Sequence, residues 1–169
     1  VIGGALASGG AVALSHGRIV TILSAGNDAA KSFTVTGTDI NGDAQTESIT
    51  GANAGTATGT KFFKTLSGIS AVGNPAGNVS AGVNTSASDV IFAGRSRLKG
   101  IYLTSTATAG TVDFLNTSPS GTSIMGLSSV GDADATRDVV IPSDGVLFDD
   151  GIYIQYTVST FLTLTVFHA

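Results

Sequence analysis

The chain has 169 residues, a net charge of −4, no cysteine and only 12% charged residues, about half the usual share. With 42% hydrophobic residues it can build a core, and its low net charge argues against intrinsic disorder. The eight basic residues are scattered apart from Arg95, Arg97 and Lys99, so the basic footprint of a nucleic-acid partner is missing. No apolar run approaches the ~20 residues of a membrane-spanning helix, and disulfides or thiolate metal sites are excluded.

The polar surface is made of hydroxyls. Ser and Thr account for 41 residues and Gly for 23, against one Glu (Glu47) and four Lys, and Thr alternates with apolar residues as in FTVT (33–36) and FLTLTV (161–166). Thr is β-branched and suits a pleated, half-buried surface. Short hydroxyl side chains lose little entropy when a neighbour covers them. The composition therefore points to a β-rich component of an assembly rather than to an enzyme.

Residues 1–14 are uncharged and rich in Gly and Ala, with no basic stretch ahead of an apolar one. Residues 1–17 read either as a floppy tail or as an extended arm ordered on a neighbouring subunit. In the second case Val1, Ile2, Leu6, Val12 and Leu14 are the candidate subunit contacts. Strand periodicity begins at Arg18 with RIVTIL (18–23). Strands over 31–39 and 45–50 flank Asn41-Gly42, a strong hairpin signal. Residues 51–60 read as a loop. Residues 61–72 carry Phe62, Phe63, Leu66 and Ile69, a spacing open to a short helix, with Gly68 and the Ser/Thr content favouring a strand. Asn74-Pro75-Ala76-Gly77 forms a turn before a short strand over 78–83.

In the second half, strands are predicted over 98–104, 111–115, 122–127, 137–141 (ended by Pro142) and 146–148. The segments 151–158 and 161–168 then read as a closing hairpin, with Ile152, Ile154 and Tyr156 on one face and Leu162, Leu164 and Val166 on one face of its partner. Short strands at this spacing imply an all-β fold: an antiparallel β-sandwich, a jelly roll or a small barrel. A boundary at 85–88 (TSAS) divides the chain into an 18–88 β domain and an 89–169 segment, itself a second β domain or the second half of one sandwich.

No catalytic constellation is present. His16 and His168 stand near opposite ends of the chain without a G-x-S-x-G elbow, and no phosphate-loop G-K-[ST] occurs. Asp132, Asp134 and Asp138 fail the EF-hand pattern, with Ser143 where its bidentate Glu belongs, and read as a solvated acidic loop. Asp113 is the odd carboxylate, placed in mid-strand on an outward position. Three Asn-x-Ser/Thr acceptors, at Asn78, Asn84 and Asn116, are expected by chance at this Ser/Thr content. No metal, cofactor or catalytic residue is expected.

Three stretches carry a resemblance. SFTVTGTDINGDAQTESITG (32–51), continued by FFKTLSGI (62–69), resembles a module of tailed-bacteriophage virion proteins. LKGIY (98–102) through GTVDF (110–114), and IPSDGVLF (141–148) with LTVF (164–167), resemble small phage structural proteins. The resemblance implies a virion component and transfers no catalytic residue. The expectation is a capsid decoration (cement) protein on the capsid surface that binds the major capsid protein as a homo-oligomer, a trimer being favoured, without direct contact to nucleic acid or membrane. A tail, fibre or connector component is the alternative within the virion. An extracellular adhesin, filament subunit or carbohydrate-binding β-sandwich is the alternative outside it, the last disfavoured by the absence of Trp.

Overall fold

The computed structural model describes residues 2–3 and 11–169. The fold is all-β and antiparallel, of the β-sandwich class, with no helix and no closed barrel among the described residues. Among the described residues thirteen strands follow one another: β1 (Ile2–Gly3), β2 (Val12–Ser24), β3 (Ser32–Thr38), β4 (Ala44–Thr50), β5 (Thr56–Val72), β6 (Val79–Phe92), β7 (Ser96–Ser105), β8 (Gly110–Asn116), β9 (Ser123–Ser129), β10 (Thr136–Val140), β11 (Val146–Phe148), β12 (Ile152–Thr157) and β13 (Phe161–His168). The chain forms two compact units, residues 1–84 and 85–169, each with its own apolar core. Strand β6 gives its first part to unit 1 and the rest to unit 2.

In unit 1 the strand order is β4-β3-β5-β2-β6, with β1 alongside β6 as a short parallel pair. The core holds Val20, Ile22, Phe33, Val35, Ile49, Phe63, Leu66, Val79 and Ala81. The β3–β4 hairpin brackets Asn41-Gly42 in register from Ser32↔Thr50 to Thr38↔Ala44. Its loop is longer than a two-residue turn: the Asp39 carboxylate accepts from the Asn41 and Asp43 amides, and Gly42 adopts φ +92.

Strand β5 is long and irregular. Between Ile19↔Phe62 and Thr21↔Thr58 it has two more residues than β2, a bulge at Thr60-Lys61. The bend brings this part of β5 against the inner side of β4, where the Gln45 amide donates to the Phe62 carbonyl (2.8 Å). Residues 56–60, expected as a loop, therefore belong to a strand. Their period-two pattern is legible in the burial, Ala57 and Gly59 half-buried and Thr56, Thr58 and Thr60 exposed, but it has no large apolar residue to announce it.

Strand β2 starts at Val12 rather than Arg18 because Val12 and Ala13 pair with Leu66 and Thr65 across a register break at the Gly17 region. Strand β6 likewise extends to Phe92. Ser88 is fully buried within it and is tolerated there because its hydroxyl donates to the Ile154 carbonyl (2.7 Å).

Unit 2 is a two-layer sandwich. One sheet runs β6-β12-β8-β9; in the other, β7 is flanked by β10 and β11 on one edge and by β13 on the other. Leu98, Ile101, Leu103 and Phe148 from the second sheet meet Val112, Phe114, Ile152 and Ile154 from the first. Each side chain of this size contributes roughly 1.5–3 kcal/mol on full burial.

The closing hairpin expected from the sequence does not form. β12 pairs with β6 and β8, whereas β13 pairs with β7, so the tight link at Val158–Thr160 carries the chain from one sheet to the other. Thr160 anchors that crossing: its amide donates to the Thr157 carbonyl and its own carbonyl accepts from Thr106. A bulge between Phe161 and Thr163 then shifts the alternation, so that Leu164 and Val166 pack on the core while Leu162 is 61% exposed. The shared face expected for Leu162, Leu164 and Val166 is corrected accordingly.

Candidate functional site

The sheet faces of unit 1 divide sharply by chemistry. Inward positions of β3 and β4 carry Phe33, Val35, Glu47 and Ile49. The outward positions form four cross-strand rows: Thr50–Ser32–Val72, Ser48–Thr34–Ser70, Thr46–Thr36–Gly68 and Ala44–Thr38–Thr65. None of these positions is charged. Their hydroxyls bond one another, Ser32 with Ser48 at 2.5 Å and Thr38 with Thr65 at 2.7 Å, while Thr36 donates to the Gly68 carbonyl (3.2 Å). A face so laced together is preorganised and loses little side-chain freedom when covered.

Glu47, the chain's single Glu, serves the interior of this unit. It is 8% exposed, and its Oε1 accepts from the Thr60 amide (2.6 Å) and the Thr60 hydroxyl (2.9 Å), while Oε2 receives the Lys61 amide at 3.4 Å. Those amides belong to the β5 bulge, where the ladder to β2 is interrupted. The carboxylate replaces the missing strand partner, so its role is structural. Asp28 is a second buried carboxylate: Oδ1 accepts from the Ala76 amide (2.7 Å), tying the β2–β3 loop to the β5–β6 loop, and Oδ2 has no partner among the described residues.

In unit 2 a hollow of about 270 Å³ lies on the sheet β6-β12-β8-β9, lined by Ser86, Thr111, Asp113, Gln155, Tyr156 and Thr157. Its centre is a direct cross-strand pair, Gln155 on β12 opposite Asp113 on β8, continued by Ser88 on β6 and Gly126 on β9. Alternation sends Ile154, Val112 and Phe114 into the core and these polar residues to the other face. On that face, Leu115 and Tyr153 form the neighbouring row and are buried. Gly126 keeps the far side open: a Cβ there would stand 2.9 Å from Asp113 Oδ1.

The residues singled out in the sequence fall as follows. Val1 and Leu6 lie outside the described residues. Ile2 is on β1 in register with Val79 of the same chain. Val12 packs partly buried against the core of its own unit, and Leu14 is half-buried in β2; both belong to a core strand rather than to an arm over 1–17. His16 is half-buried in β2, whereas His168, at the end of β13, lies tilted against the Phe92 ring with centroids 5.0 Å apart and Ser96 Oγ at 3.4 Å. Asp132 and Asp134 are exposed in the loop before β10, and Asp138 is exposed on it. No group of three or more potential metal-binding His, Cys, Asp or Glu residues occurs among the described residues.

Asp113 was conspicuous in the sequence as a carboxylate in mid-strand, but its partners Gln155, Thr111, Thr157 and Ser86 gave no signal. They are ordinary strand residues, brought together only by the pairing of β12 with both β6 and β8. No family model matches the chain, and no curated protein or solved structure matches it.

Proposed function

We propose that the chain is a structural protein of a tailed-phage virion, a decoration protein that binds the major capsid protein as a homo-oligomer and stabilises the shell without catalysis. The observation that carries this reading is the outward face of β4-β3-β5, four rows of hydroxyl and small side chains, with Val72 at one end, that carry no charge. Charged residues are depleted where protein surfaces are covered, and a face of short, mutually bonded hydroxyls suits repeated, individually weak contacts. Binding to an assembled shell but not to its free subunits stabilises the shell through linkage. The edge strand β13 adds to this: FLTLTVFH has neither Lys, Glu, Asp nor Pro, the residues that usually block strand addition, whereas β10 on the opposite edge carries Arg137 and Asp138.

The test is co-sedimentation with empty shells of the phage's major capsid protein. The wild-type chain is expected to pellet with shells at fixed stoichiometry and to raise the temperature at which they disrupt. The variant T34E/S48E/S70E, with charges on the central row, is expected to stay in the supernatant while remaining folded, with a thermal transition lowered by the repulsion between directly opposed carboxylates. A folded wild-type chain that never pellets, or a triple variant that binds as well as wild type, overturns the reading.

A further inference from the structure

The Asp113–Gln155 hollow has no part in the shell contacts above, and its composition selects a ligand. It presents one carboxylate, one carboxamide and the hydroxyl-bearing Ser86, Thr111 and Thr157; Tyr156 also borders it, but its ring packs against the core on the opposite face of the sheet. Asp113 and Gln155 are half-buried, and their hydrogen-bonding capacity is largely unspent. Among the described residues Asp113 accepts one long hydrogen bond, from Ser123 (3.4 Å), and Gln155 makes none. Two strong polar groups facing each other across a strand pair would usually be satisfied within the protein or directed at a partner.

The chemistry narrows the partner. A hard divalent cation requires six to eight oxygen ligands and usually several carboxylates, and Asp113 is the only carboxylate lining the hollow. An anion meets the Asp113 charge with no Lys or Arg in the lining to offset it. An apolar ligand would strand the amide and the carboxylate without partners. What matches is a neutral molecule rich in adjacent hydroxyls. The Asp113 carboxylate can accept from two neighbouring hydroxyls, Gln155 can donate and accept, and the Ser and Thr hydroxyls can do either. The volume lies just under the ~300 Å³ at which drug-sized pockets begin, which suits one sugar ring.

We propose that this hollow binds a saccharide, one neutral sugar residue held between Asp113 and Gln155 with Thr111, Thr157 and Ser86 around it. Gly126 is what keeps the Asp113 side accessible, since any side chain there would crowd the carboxylate. Binding is weak for a single ring, because hydrogen bonds on an open sheet face exchange against water; several copies in one assembly raise the avidity. The hollow is complete within unit 2 of a single chain, so the isolated chain binds the sugar whether or not it is attached to a shell.

The experiment is a ¹H–¹⁵N NMR titration of the intact chain with glucose, galactose, mannose and N-acetylglucosamine in turn, and with ethylammonium as an amine control. At least one sugar is expected to give saturable shifts of the Gln155 side-chain amide and of the Asp113 and Gly126 backbone amides. D113N, which keeps the shape but removes the charged acceptor, and Q155A are each expected to weaken that binding by about tenfold or more with an unchanged thermal transition. If either variant unfolds, G126V serves in its place and is expected to abolish the shifts. Absence of shifts at these residues with every sugar overturns the proposal, as do shifts with ethylammonium alone, or sugar binding that survives all the folded variants.

Discussion

Glu47 offers a sharp test of how unit 1 holds its bent strand. Its Oε1 takes two short hydrogen bonds from Thr60 and its Oε2 a long one from Lys61, all at the β5 bulge. Hydrogen bonds to a charged acceptor contribute about 1.5–3 kcal/mol each, while the 3.4 Å contact adds little. Thr60 is itself exposed, so water recovers part of the loss when the carboxylate is removed. Glu47→Ala is therefore expected to cost roughly 2–3 kcal/mol. Glu47→Gln keeps a carbonyl oxygen for both Thr60 donors and turns its NH₂ towards the Lys61 amide, for a cost of about 1 kcal/mol. For a unit of this size 1 kcal/mol corresponds to about 4–8 °C, so Ala lowers the unit 1 transition by roughly 10–20 °C and Gln by less than half of that. Chemical unfolding followed at the NMR signals of Val20 and Phe63 reads unit 1 alone, and amide exchange at Thr60 reads the bulge directly. A cost under about 0.5 kcal/mol for Glu47→Ala, or Thr60 exchange no faster than in wild type, would refute this role for the Glu47 carboxylate.

Other substitutions test the remaining inferences. Lys at Leu164 sets a charge against the unit 2 core and is expected to cost about 2–4 kcal/mol or cause aggregation, whereas Lys at the exposed Leu162 should stay within about 0.5 kcal/mol in a thermal melt; equal effects contradict the β13 bulge. Thr160 is fully buried with an unpartnered Oγ1, so Thr160→Val is expected to stabilise unit 2 by about 1 kcal/mol; destabilisation by that amount would show that the hydroxyl has a partner. Gly42→Ala places a side chain at φ +92 in the β3–β4 turn and is expected to cost about 1 kcal/mol by urea titration, although a Cβ there meets no atom within 4 Å; a neutral result would mean that the turn relaxes freely.

What the sequence reveals here depends on whether the decisive interaction is local. The Asn41-Gly42 hairpin is legible because the positive φ and the flanking alternation are encoded in adjacent residues. The all-β class is legible because Thr and apolar residues alternate in segments such as FTVT (33–36) and FLTLTV (161–166), and short apolar runs recur between Gly, Pro and Asn turns. The closing hairpin misleads because Ser159-Thr160 is short enough for a hairpin, and nothing local records that β13 pairs with β7 more than fifty residues earlier. The same non-locality hides the candidate site: Asp113 is visible as a misplaced carboxylate, but Gln155 becomes its neighbour only through the β8–β12 register. Glu47 is conspicuous as the only Glu, yet its clamp on Thr60 rests on a bulge whose existence depends on tertiary pairing with β2.

The central claim, that the charge-free face of β4-β3-β5 is covered in a repeating assembly, is tested most directly by electron cryomicroscopy of the source particle. The account predicts regular density for this fold on the capsid surface, at local three-fold positions for a trimer, with the Ser48–Thr34–Ser70 row buried against a neighbouring subunit. Particles that lack this density on the shell, or that show it with the face turned to solvent, would contradict it.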